Sequence, residues 1–118
     1  MKKIVLTFLY YQNMIKLYHW QTKSFARHKA SDELYSTLNE KIDEFVEVMQ
    51  GSREKTVKFN NKQAIPIQDV PDKKADRLLK SLRDWLEEMK LENEPELLNI
   101  RDEMVASVNK ALYLFTLE

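Results

Sequence analysis

The sequence predicts an all-α protein, a bundle of four helices arranged as two antiparallel hairpins joined by a long crossover. Two observations carry this. Apolar residues recur at three- and four-residue steps in four separate stretches. The connections between those stretches run short, long, short, which is the order two hairpins and one crossover require. A chain of 118 residues fits a single domain spanning residues 1–118 and can bury a core without disulfide or zinc staples.

The first helix is expected over residues 3–21, with Ile4, Phe8, Tyr11, Ile15 and Tyr18 on its inner face. The second runs over 24–50, where Leu34, Leu38, Ile42, Phe45 and Met49 form the stripe, and Gly51 stands where a C-cap glycine is expected. The third covers 71–92 with Leu78, Leu82, Trp85, Leu86 and Met89. Pro95 opens the fourth, 95–117, with Leu97, Ile100, Met104, Val108, Ala111, Leu112 and Phe115 inside. The polar, turn-prone segment 52–70 is the crossover.

Composition removes several function classes. With no cysteine, a disulfide scaffold, a cysteine nucleophile, a thiolate zinc site and an iron–sulfur cluster are excluded. A single glycine leaves no Gly-rich phosphate loop. Nineteen basic residues balance nineteen acidic ones, which argues against DNA as a partner. The opening Met1-Lys2-Lys3 and the apolar Ile4 to Tyr11 lack a small-x-small cleavage site and read as the first helix of the fold. No stretch approaches the ~20 apolar residues of a membrane span. The expectation is a soluble, cytoplasmic protein.

The second helix carries the most specific signal. His28 and Asp32 are four residues apart, as are Asp43 and Glu47, and on a helix each pair shares a face. Asp32 and Asp43 are eleven residues apart, close to three turns, so both pairs fall on one stripe, expected beside the apolar stripe and not on the far solvent face. Eleven residues also separate the aspartates by about 16 Å along the axis, too far to hold one ion within a chain. The positions His28 and Glu47, Asp32 and Asp43, and Ser36 and Asn39 mirror one another about a point between residues 37 and 38. Two copies crossing antiparallel there would bring His28 and Asp32 of one chain to Asp43 and Glu47 of the other, as an isologous dimer demands. The alternative is a solvated acidic helix face whose carboxylates pair with lysines.

These residues, with His19-Trp20 and Gly51, resemble the signature of the Dps-type miniferritins, of the ferritin-like fold class, most strongly between His19 and Gly51. The run Val108 to Phe115 is also similar to that family's last helix. The resemblance implies a di-iron site across a subunit two-fold, with His19, His28 and Asp32 from one chain and Asp43 and Glu47 from its partner. It implies a homo-oligomer, at least a dimer, with ferroxidase activity, and gives Trp20 the place of a redox partner, against the plainer reading of a packing aromatic. The family's DNA binding does not transfer, because no lysine-rich tail is present and Lys2 and Lys3 alone grip phosphate poorly. There is no Glu-x-x-His motif for an intrachain di-iron site.

Imidazole and carboxylate ligands suit Fe(II), with other divalent metals as alternatives. Asp32 and Glu47 take the bridging or direct-ligand roles, with His28 and Asp43 as terminal ligands. The competing reading is a non-catalytic helical-bundle interaction protein that keeps its acidic stripe for solubility.

Overall fold

The structure is a computed structural model and describes residues 1–117. Four helices account for the regular structure, with no strand among the described residues: α1 (Lys2–Gln21), α2 (Phe25–Arg53), α3 (Asp72–Glu87) and α4 (Pro95–Phe115). The helical bundle is therefore as expected. The connections are residues 22–24, 54–71 and 88–94.

Several boundaries differ, each for a local reason. Helix α2 runs through Gly51 to Arg53 instead of ending at a glycine cap. The left-handed capping conformation falls to Glu54, at φ 53°, whose N–H reaches back to the carbonyls of Gln50 and Gly51. Helix α3 stops at Glu87, five residues before the expected end. There the chain turns so that Leu91 is buried as a connection residue and not as part of a helical stripe. The inner face of α3 is Ala75, Leu79, Leu82 and Leu86, whereas Leu78 and Met89 are only partly buried. Helix α2 begins cleanly because Ser24 caps it, its Oγ accepting from the Arg27 N–H at 3.2 Å.

Helix α1 packs beside α2, α2 beside α4, and α4 beside α3. Helix α1 meets α3 through side chains, with the Phe8 and Trp85 rings edge to face at 5.1 Å and the Tyr11 and Ser81 hydroxyls 2.8 Å apart. Phe8 also meets Phe45 of α2 at 5.3 Å, so this phenylalanine joins three helices at mid-bundle. Helices α2 and α3 lie diagonally opposite. Arg53 at the end of α2 makes a two-pronged ion pair with Glu94 at the start of α4, at 2.8 and 2.9 Å, which fixes those helices antiparallel.

The other end is closed by a polar knot. The Tyr18 hydroxyl, on a ring with no exposed surface, donates to Asp72 Oδ1 at 2.7 Å and accepts from Arg27 at 3.3 Å. Arg27 also reaches the Asp72 carbonyl and Asp76, and its guanidinium lies 4.7 Å over the Phe115 ring. All four helices meet there, at the end where α1 turns into α2 and the two histidines sit.

Candidate metal-binding site

The turn between α1 and α2 is only three residues, so the end of α1 and the start of α2 are held side by side. His19 is buried and His28 half-buried, and their rings stack at 4.0 Å with an 18° tilt. Each ring places Nδ1 2.9 Å from the other residue's backbone carbonyl. A carbonyl can only accept, so both Nδ1 atoms carry the hydrogen. In the neutral rings Nε2 is then the atom with the lone pair, the arrangement that orients an imidazole toward a metal ion. The buried Ser31 hydroxyl donates to the His28 carbonyl at 3.2 Å and supports the clamp.

His19 Nε2 lies 3.8 Å from Asp32 Oδ1. That is too long for a hydrogen bond. It is within the roughly 4 Å that two ligands each about 2.1 Å from one ion can span. The structure thus brings His19, His28 and Asp32 to one end of the α1–α2 pair. Asp32, Asp43 and Glu47 are all exposed, as are Ser36 and Asn39 between them. The acids form an open row on the face of α2 turned away from the core, and not beside the apolar stripe as expected, because the buried face is centred on Leu34, Leu38, Ile42 and Phe45. Asn39 accepts from Gln12 of α1 at 3.3 Å, and Tyr35 carries Lys16 over its ring at 4.7 Å.

Asp43 and Glu47 stay with the far half of α2, so the expected ligands are not gathered within one chain. Among the described residues no group of three or more His, Asp or Glu side chains could hold a metal ion by itself. Imidazole and carboxylate donors are of the type that suits iron or another divalent metal, but the described residues of one chain do not gather a complete ligand set. Trp20 is two-thirds exposed beside Lys16, so it is not the buried packing aromatic of the plainer expectation. What sequence reasoning missed is the mutual clamp of the two histidines. The nine-residue separation across a tight turn was its only trace.

The comparisons with known proteins correct the resemblance drawn above. Residues 19–115 match a family described as a family of unknown function (DUF5856). An uncharacterized 14.6 kDa protein from the mobD–ri intergenic region of Enterobacteria phage T4 is 31% identical over 102 residues, covering 85% of this chain and 75% of that protein. No solved structure matches. Neither finding points to a Dps-type miniferritin or a ferritin-like family, and that assignment is withdrawn. The physical source of the error is the shortness of the motif: acids at four-residue spacing are ordinary on a solvated helix face, and here Asp32, Asp43 and Glu47 are all exposed. The chain belongs to the DUF5856 family, which its matched span covers from the first histidine to the last turn of α4.

Proposed function

We propose that two copies of this chain pair through α2 about a two-fold between residues 37 and 38 and bind divalent iron between them. His28 and Asp32 of one chain, with His19 behind them, face Asp43 and Glu47 of the second, and the arrangement repeats on the other side of the axis. The observation that carries this reading is the histidine clamp, which holds both Nδ1 hydrogens on backbone carbonyls and leaves Nε2 as the donor atom. Ser36 and Asn39, short and exposed at the crossing point, let the two helices approach.

Fe(II) held there supplies one electron per ion to dioxygen or peroxide and is itself the substrate of an oxidation. The residues' own tasks are simpler. The clamped imidazoles arrive already oriented, so little ordering entropy is lost on binding. The carboxylates stabilise the higher charge of Fe(III) more than that of Fe(II), which favours oxidation. The exposed acid row, costly through self-repulsion when bare, is neutralised once metal and partner are in place.

The test is Fe(II) added without oxygen, followed by air, with ferric absorbance recorded for wild type, His28→Ala and Glu47→Ala. The expected result is oxidation faster than in buffer for wild type and loss of that excess in both variants. No excess over buffer would sink the reading, and so would a strictly monomeric protein in the presence of metal. A second reading is favoured by a specific observation: the clamp gives both histidines a structural task, and Asp32, Asp43 and Glu47 are exposed. On that reading the chain is a non-catalytic helical interaction protein, and the same titration returns buffer rates.

A further inference from the structure

The balanced charge count conceals a segregation. Residues 1–31 hold six basic side chains and no acidic one, and residues 55–68 hold three and again no acidic one. All nineteen acids lie in the rest of the chain. The fold then brings these two acid-free segments together. The crossover runs along the outer face of α1, with Phe59 to Lys62, Gln63 and Ile65 lining a shallow groove of about 480 Å³ against Leu6 and Leu9. Further on, the Val70 N–H donates to the Gln21 side chain at 3.0 Å. Lys2, Lys3, Lys55, Lys58 and Lys62 are exposed, and none has an ion-pair partner among the described residues.

The same strip is unusually apolar for a surface. Of the seven exposed large hydrophobic residues among the described residues, four are on α1 or the crossover: Leu9, Trp20, Phe59 and Ile67. Ile67 is 60% exposed and Trp20 67%. Lysines flank Phe59 at close spacing, as Lys58 and Lys62. Basic residues alone would suit any polyanion. Asp69 is the acid that reaches this strip from the crossover, held at its far end by the Gln21 amide at 2.7 Å, and the groove around Phe59 is lined by no carboxylate. Basic residues interleaved with apolar and aromatic side chains suit a surface that offers both negative headgroups and an apolar layer beneath. No helix among the described residues is long and apolar enough to cross a membrane, so contact of this kind is peripheral.

We propose that the α1–crossover face docks on the surface of an anionic lipid bilayer, with Phe59, Leu9 and Ile67 entering the interfacial layer and Lys58 and Lys62 meeting the headgroups. This does not rest on the metal reading, because it uses no residue of the α2 acid row.

The experiment is flotation of the metal-free 118-residue chain with vesicles of phosphatidylcholine alone and with roughly one third phosphatidylglycerol, at low and high salt. Wild type is expected to float with the anionic vesicles only, and less at high salt. Lys58→Gln/Lys62→Gln is expected to weaken partitioning by about tenfold or more, and Phe59→Ser by several-fold. Both leave helix content unchanged by circular dichroism, since the sites are exposed. Asp43→Asn/Glu47→Gln, which removes the metal acids, floats like wild type. Equal flotation with neutral vesicles, or none with either, overturns the proposal. So does full retention of binding by the lysine variant. Retention by Phe59→Ser together with displacement by duplex DNA overturns it in favour of a polyanion surface.

Discussion

At the residue scale the Tyr18–Asp72–Arg27 knot is the most consequential polar feature. The hydrogen bond from the Tyr18 hydroxyl, with smaller help from Thr22 and the nearby Arg27 charge, holds the Asp72 carboxyl below its usual value of 3.8. Burial pushes the Tyr18 hydroxyl up, so it stays a donor at neutral pH. Glu94 is likewise held low, first by its hydrogen bonds from Arg53. A carboxyl lowered in the folded state stabilises the fold fully above its unfolded value and loses that stabilisation as pH falls through the folded one. Both groups therefore predict a stability decline that begins as pH falls into the ordinary carboxylate range, where the unfolded chain titrates, and is complete only below the lowered folded values. Tyr18→Phe should cost about 1–3 kcal/mol at neutral pH, read as a lower urea midpoint, and should flatten the acid decline. An unchanged profile would show that the bond contributes nothing. This knot was not legible in sequence, because Tyr18 and Asp72 are 54 residues apart and nothing local marks them as partners. The acidic row was legible, since its spacing is a property of one helix, whereas the histidine clamp needed the turn geometry.

At the element scale the helices were read from periodicity, and the places where the reading slipped share a cause. Propensity rules put glycine at a helix end, yet α2 continues past Gly51 because Gln50 and Gly51 can offer their carbonyls to the chain turning at Glu54. The outcome is testable. A Cβ at position 51 meets nothing within 4 Å, and the residue is helical. Gly51→Ala should therefore raise stability by about 0.5–1 kcal/mol, visible as a higher melting temperature. A lower one would restore the capping role. Ser24→Ala, removing the hydroxyl that caps α2, should cost about 1 kcal/mol. Helix α3 slipped differently: its inner face is set by the buried Ala75 and Leu79, and the apolar Met89 beyond its end suggested a longer helix than the turn at residues 88–94 permits. Core positions of α2 and α4 matched their stripes closely because both are long and repeat the pattern over many turns. Truncating Phe45, which has no exposed surface and meets Phe8, should cost about 3–5 kcal/mol in a urea melt.

At the scale of the whole molecule, one chain presents two contrasting sides. The α2 face carries an exposed row of acids, with the two clamped imidazoles of His19 and His28 at one end. The α1–crossover face carries lysines and exposed apolar residues. Neither was visible in a net charge of zero, since only the fold shows which segments share a surface. The central claim is that the ligand set is divided between two copies, and mixing defective chains tests it. His28→Ala and Glu47→Ala each spoil both sites of their own homodimer. In a mixed dimer, His28 of one chain meets Glu47 of the other and one site is whole. With random re-pairing after mild unfolding and refolding together, about a quarter of wild-type sites should return. The measurement is Fe(II) bound and oxidised per chain in the refolded mixture, against each variant refolded alone. Recovery toward that fraction is the predicted result. No recovery, in a mixture shown to contain mixed dimers, would contradict the shared site.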